Sequence, residues 1–397
     1  MSADPARLRP VAAASAHPDL QAADAAAARY SAAATPPNTT RTYTSAWTRF
    51  QNWCAETGLT ALPADPRTVE RYLALGADRG EVAASTLGVW VAAIAHHHRQ
   101  AGHPDPTTDA AVRAVMQGVR AEHTAAARAA ARAPAATRPV LTAMITTAHT
   151  GARTWRAQVA ARRDIAVLAL GFAAARRRSE LAGLTVADLS LTRGSDGEHL
   201  VQVRLRGTKT SRTALTHLYL PRGRGADALC CPWCALHRWL VVLAARDRAT
   251  AREQRRQRRH GLSVLDQAAV DDAAAIAVQR AVAADTADPH THRCTDPWPE
   301  HPHPETPLFR PLARGGWPRE RALTDRQIAR IIQSRGAAAG YPDLRGHSLR
   351  AGAATEAHAR GARLEDIMAL GGWANPSTAL AYDRDREQRS ARVDLGL

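Results

Sequence analysis

No stretch of the sequence approaches the roughly 18 consecutive apolar residues that a membrane-spanning helix needs. Its start also lacks a basic segment followed by an apolar core. Both absences lead to the expectation of a soluble, cytoplasmic protein without a membrane partner. Cysteine is scarce: five in 397 residues, an odd number in a long chain, which argues against a disulfide framework. Acidic residues are outnumbered and scattered. Asp271-Asp272 stands in an Ala-rich stretch without a second cluster, whereas metal-dependent nucleases gather carboxylates to hold two ions. What is plentiful is positive charge. The formal net charge is +16, mostly from arginine, whose forked guanidinium suits bidentate contacts to phosphate. Nucleic acid is therefore the expected partner; a GC-rich genome that enriches Ala and Arg is the alternative source of the charge. The length suits two domains with a substantial core.

Residues 1–37, rich in Ala, Pro and Asp with little periodicity, read as a disordered tail. From Thr40 to Glu56, Tyr43, Trp47, Phe50 and Trp53 or Cys54 recur at helical spacing, and Gly58 stops the pattern. Asp65-Pro66 supplies a cap and a first-turn proline for a second helix carrying Val69, Tyr72, Leu73 and Leu75. Ser85 to Gln100 (Leu87, Trp90, Val91, Ile94) and Thr108 to His123 (Val112, Val115, Met116, Val119) complete a four-helix domain over 38–123. Its polar side includes Arg41, Arg49, Arg71, Arg99 and Arg113, candidates for a DNA-binding surface or simply a solvated face. The Ala/Arg stretch 124–139, broken by Pro134 and Pro139, reads as a linker.

The second domain, 140–397, opens with a helix from Leu141 to Thr150 and a strongly apolar one from Arg163 to Ala175, with Asp164 in its first turn. The apolar helix runs into Arg176-Arg177-Arg178-Ser179-Glu180-Leu181. Charged side chains are rarely set against a core without a partner, and an anionic ligand would account for them; the pull of a helix C-terminus is the alternative. Ser179 and Glu180 read as cap and first-turn acid of a short helix, and the glutamate can orient an arginine. Val186 to Leu220 is the clear β region: Leu200 to Arg206 alternates, Gly207 to Arg212 turns, and Leu215 to Leu220 returns, leaving Lys209 at a hairpin tip. Cys230-Cys231-Pro232-Trp233-Cys234 precedes a helix from Ala235 to Arg246. A metal would need a second pair, for which Cys294 with His290 and His292, or with His301 and His303, are available; Cys231, Cys234, His292 and Cys294 form the zinc candidate, against plain packing of soft side chains. Residues 246–305 look like a basic, His/Pro-rich insertion, with the arginine-dense run 246–260 continuing as one Ala-rich helix to about Ala284. Such a run is a solvated helix face or an additional contact to a DNA backbone. Beyond it, Pro307 to Phe309 reads as a short extended piece. Thr324-Asp325 caps a helix with Ile328, Ile331 and Ile332 that ends at Gly340.

The stretch Leu344 to Tyr382 organises the rest. His347 and Arg350 lie three apart at the start of a helix predicted from about Ser348, a pair able to grip an anion. Gly371-Gly372-Trp373 follows an amphipathic segment, and Tyr382 comes nine residues after Trp373. Cleaving a phosphodiester without a metal requires cations to neutralise the nonbridging oxygens, a nucleophile, and an acid for the leaving 5′ oxygen. A free phenol titrates near 10, so Tyr382 would need a nearby base or adjacent cations.

These residues, in this order, resemble the tyrosine recombinases, the phage-integrase family, of the kind common in actinobacterial genomes. The match covers roughly residues 39–245 and 306–385. The resemblance implies a mainly α fold with a small antiparallel β region (α+β): an N-terminal helical core-binding (SAM-like) domain followed by an integrase-like catalytic domain. It further implies that Tyr382 forms a 3′-phosphotyrosyl intermediate, that Arg177 and Arg350 hold the scissile phosphate, that Lys209 is the general acid, and that His347 and Trp373 position and assist. Rejoining conserves bond energy, so no cofactor is expected. The partners implied are double-stranded DNA and three further copies in a homotetramer on paired sites, within the integration and recombination of mobile elements. Two departures stand out: Trp373 occupies a position more often histidine, and the insertion 246–305 has no counterpart in the minimal pattern. The spacing to Ser-Glu-Leu selects Arg177 among its neighbours. A type IB topoisomerase-like relaxing enzyme and a DNA-binding relative without catalysis are the competing expectations.

Overall fold

Aromatic residues at three- and four-residue spacing organise the first of two units, Met1–Ala130; the second is Ala131–Leu397. The computed structural model describes residues 18–34, 37–80, 82–127, 134–195, 197–206, 215–223 and 228–383. In the first unit, α1 (Pro18–Ala34) precedes α2 (Pro37–Thr57), α3 (Pro66–Asp78), α4 (Ala84–Gln100) and α5 (Ala110–Ala127). Trp47, Phe50 and Cys54 of α2 close on Tyr72 and Leu73 of α3, Leu87, Trp90 and Ile94 of α4, and Val112, Met116 and Val119 of α5. Asp65 caps α3 by accepting from the Arg67 amide at 2.8 Å. The four predicted helices are thus present. The expected disordered tail needs correction over α1: alanine's helix propensity suffices there, and the helix keeps Leu20 and Tyr30 exposed.

The linker also differs from its reading. Ala136 is wholly buried in the second unit, where its amide donates to the Ser348 carbonyl at 2.9 Å. Pro139 opens a helix rather than breaking one: α6 spans Arg138–Thr150. Next comes α7 (Trp155–Ala173), whose Thr154 hydroxyl accepts from the Ala157 amide at 3.2 Å. This cap starts the helix eight residues before Arg163, so Asp164 is buried mid-helix instead of lying in a first turn. Arg335 answers it at 2.7 Å, as does Arg163 at 2.7 Å.

After α8 (Arg178–Ala182), three strands form an antiparallel meander in the order β1 (Leu189–Arg193), β2 (His199–Arg206), β3 (Leu215–Pro221). Val201, Val203 and Leu205 face the core, and the β2–β3 register ends at Arg206 opposite Leu215. Lys209 belongs to the intervening segment 207–214, outside the described residues.

The predicted helix from Ala235 to Arg246 is the first half of α9 (Pro232–Arg259), which contributes Trp233, Leu236, Trp239 and Leu243 to the core. The arginine-dense run is its second half, and it does not continue unbroken to Ala284. The buried Gln257 side chain takes the Asp266 amide at 2.7 Å and donates to its carbonyl at 3.2 Å. Asp266 then caps α10 (Gln267–Ala284), making a helical hairpin. Nor is the run wholly a solvated face or a free phosphate contact: Asp247 binds Arg310 through both oxygens at 2.8 Å, Arg246 reaches Glu320 at 3.2 Å, and Arg256 pairs with Glu253 at 2.7 Å. The chain closes with α11 (Asp325–Ala338), capped by Thr324 as predicted, then α12 (Ser348–Ala359), α13 (Leu364–Gly371) and α14 (Pro376–Leu380).

Candidate active site

The C-terminus of α13 is the hub. Gly372 ends the helix in the left-handed region (φ 64°), where any other residue would be strained, and a Cβ there would also strike the Arg176 guanidinium at 2.4 Å. Two arginines from separate segments meet carbonyls at this end. Arg176 donates to Ala369 at 3.2 Å, while Arg350, on the first turn of α12, donates through Nη1 to Gly371 at 2.6 Å and to Ala175 at 2.7 Å. These contacts fix the plane of the Arg350 guanidinium. Burial, then Arg177, hold its pKa down to about 10, so it remains cationic at neutral pH.

Trp373 folds back over Gly371, which has no room for a side chain, and its ring receives Arg350 at 4.0 Å. Tyr382 packs on the same indole at 5.4 Å between ring centroids. The phenol thus stands one ring away from a buried guanidinium, in a cluster with Ala354, Ile367 and Ala379. Two residues that carried no signal in the sequence hold this tyrosine's backbone to α12. Thr355 donates its hydroxyl to the Tyr382 carbonyl at 3.1 Å, and the buried His358 ring meets the Ala379 carbonyl at 3.1 Å.

The three consecutive arginines divide their work. Arg176 is buried beneath α13. Arg177 caps α8 in place of Ser179: its amide donates to Glu180 Oε2 at 3.1 Å and its guanidinium to Oε1 at 2.9 Å. The glutamate orients the arginine, as its position predicted. Arg178 lies along Gly346, where a Cβ would come within 2.5 Å of its Cδ, and so crowds His347. Burial, then Arg178, Arg350 and Arg177, push the His347 pKa below its usual value, keeping the imidazole neutral near pH 7.

Of the residues singled out in the sequence, Arg177, His347, Arg350, Trp373 and Tyr382 therefore share one neighbourhood. Lys209 lies outside the described residues. Arg41, Arg49, Arg71, Arg99 and Arg113 are exposed in the first unit. Two of them have partners there: Arg99 binds Asp105 at 2.7 Å, and Arg49 lies over the Trp90 ring at 5.4 Å. The sulfur and imidazole atoms of Cys231, Cys234, His292 and Cys294 converge within 4.8 Å of one another. No described helix is long and apolar enough to cross a membrane.

No family model matches the chain. An integrase/recombinase xerD homolog of Selenomonas ruminantium is 27% identical over 325 residues, covering 81% of this chain and 73% of that protein. Among solved structures, XerH site-specific recombinase bound to difH substrate is 12% identical, with 87% of this chain and 76% of that one covered at a TM-score of 0.46. XerA recombinase is 13% identical, with 92% and 95% covered at a TM-score of 0.34. With a sequence likeness over 81% of its length, and with the ordered residues of the motif gathered around one helix end, the chain is similar to an integrase/recombinase of the XerD kind and resembles the tyrosine recombinases.

Proposed function

We propose that this protein is a site-specific DNA recombinase that cuts and rejoins duplex DNA through Tyr382. The observation that carries the reading is the succession of Arg350, Trp373 and Tyr382, which sets a phenol one indole ring away from a buried cation. The Tyr382 oxygen attacks the scissile phosphorus, the bond to the 5′ oxygen breaks, and a 3′-phosphotyrosyl linkage forms. Arg177 and Arg350 neutralise the nonbridging oxygens as charge builds on them. His347, held neutral, is able to accept the phenolic proton. Lys209 protonates the leaving 5′ oxygen; it is the only lysine in the chain, and arginine could not replace it because guanidinium does not release its proton at working pH. Attack by the 5′ hydroxyl of another strand reverses the step, so the bond energy is conserved and no cofactor enters. The chemistry acts on paired sites in a homotetramer, with the exposed arginines of the first unit on the DNA backbone.

A nicked suicide duplex carrying the repeats that flank the gene's own element tests this. The wild type is expected to form a covalent protein–DNA adduct, lost in Tyr382→Phe, and to join strands of two duplexes. Adduct formation by Tyr382→Phe overturns the nucleophile. An adduct without strand exchange points to DNA relaxation, and no adduct from the wild type points to a binding protein.

A further inference from the structure

We propose that Cys231, Cys234, His292 and Cys294 bind a zinc ion that fastens the end of the 246–305 insertion to the base of α9. The four side chains come from two places far apart in the sequence. Cys231 caps α9 and Cys234 lies in its first turn, whereas His292 and Cys294 lie in the chain returning from α10.

Their geometry is that of a ligand set. Cys294 Sγ is 3.5 Å from both Cys231 Sγ and Cys234 Sγ, and His292 Nδ1 is 3.3 Å from Cys294 Sγ and 3.7 Å from Cys234 Sγ. A zinc ion bonded to sulfur at about 2.3 Å and to nitrogen at about 2.0 Å sets tetrahedral neighbours roughly 3.5 to 3.8 Å apart. A disulfide would need sulfurs near 2.05 Å and would leave two donors unused. The three cysteines are 3%, 1% and 5% exposed, so the donors are shielded as in a closed structural site.

The surroundings suit the negative charge that three thiolates leave on such a centre. The Arg293 amide donates to Cys234 Sγ at 3.2 Å, Arg222 hydrogen-bonds Cys294, and the positive end of the α9 dipole points at the pair. Gly223 passes so close that a Cβ would meet Cys231 Sγ and His292 Cε1 at 2.9 Å, which wraps backbone around the cluster. Cys230 stands apart, its sulfur 3.3 Å from the Thr142 hydroxyl.

The linkage closes a loop between residues 63 apart. Beside it, the Ala228 amide donates to the His290 carbonyl at 3.0 Å, and Asp285 takes Arg162 and Arg293 at 2.9 Å each. The α9–α10 hairpin is thereby secured at its open end, and zinc binding does not depend on the recombinase reading.

Full-length, untagged protein purified with zinc present and without chelator tests the site by metal analysis and native mass spectrometry. About one zinc per chain is expected. It should fall to near zero in Cys234→Ser and in His292→Ala, and persist in Cys230→Ser. Cobalt replacing zinc should give thiolate-to-metal charge transfer and the ligand-field bands of a tetrahedral centre. The metal readouts on the wild type do not depend on any variant folding. Zinc-free wild type that also takes up no cobalt overturns the proposal, as does zinc retained by the Cys234→Ser, His292→Ala double variant. A Cys231–Cys294 disulfide, seen as a mass lower by two hydrogens, overturns it as well. Loss of zinc with DNA cleavage intact leaves the metal site standing, and cleavage lost with zinc still bound bears only on the catalytic reading.

Discussion

Replacing Glu180 by alanine isolates how Arg177, the first arginine proposed to hold the phosphate, is aimed. Arg177 remains in the chain, but loses a carboxylate that holds its guanidinium at 2.9 Å and its amide at 3.1 Å. The pair is largely desolvated, with side-chain exposures of 22% and 6%. A hydrogen bond to a charged group contributes about 1.5–3 kcal/mol, and each 1.36 kcal/mol in the barrier is about tenfold in rate. Glu180→Ala should therefore slow single-turnover adduct formation on the suicide duplex by about 10- to 150-fold. Glu180→Gln, which keeps an acceptor, should lose about tenfold or less. DNA affinity by gel shift should hardly change, because the charge that meets phosphate is still present. A cleavage rate within about twofold of wild type would refute the argument that Glu180 positions Arg177. So would an alanine variant that loses affinity and rate together.

The depressed His347 pKa has a defined sign. The folded chain resists protonating this ring, so adduct formation should stay level through neutral pH and decline only below the ordinary histidine range, about 6.5. His347→Gln should flatten that acid-side decline at a lower overall rate, as pH–rate profiles would show. Because the unfolded ring takes up its proton first as pH falls through about 6.5, the fold loses stability below that value. The loss should be smaller in His347→Gln, read from urea midpoints on either side of it. Elsewhere, Asp247→Ala strands the fully buried Arg310 guanidinium and should cost about 3–5 kcal/mol in urea unfolding of the second unit. The double replacement Asp247→Leu, Arg310→Met should recover much of it. No difference between the single and double variants would remove the buried pair from the account of how α9 is held.

Helices whose inward faces repeat every three or four residues were legible without coordinates, because Trp47, Phe50 and Cys54, or Ile328, Ile331 and Ile332, meet the same core whatever surrounds them. The candidate site was legible for another reason. Tyr382, Trp373 and the His347/Arg350 pair lie close in sequence, and their chemistry restricts residue type. What escaped depends on partners far along the chain. Nothing local marks Thr355 or His358, whose acceptors lie 27 and 21 residues onward. The split of duties among Arg176, Arg177 and Arg178 is set partly from afar: Arg176 answers a carbonyl 193 residues onward at the end of α13, and Arg178 lies along Gly346. The break between α9 and α10 is closed by Gly261 in the left-handed region and held by one buried glutamine side chain, whose partner periodicity cannot register.

The burial of Ala136 bears on where the second unit can be cut free. Helix α6 begins at Arg138, and a fragment started there would look intact by secondary structure. Yet the preceding residues are a wedge: Ala136 lies against Gly352, where a Cβ would come within 1.9 Å of its carbonyl oxygen, and its amide meets Ser348 on the same helix as Arg350. The seam between the two units therefore lies upstream of this wedge. A dissected second unit needs its N-terminal residues as a doorstop under α12, without which the arginine on that helix has lost its footing.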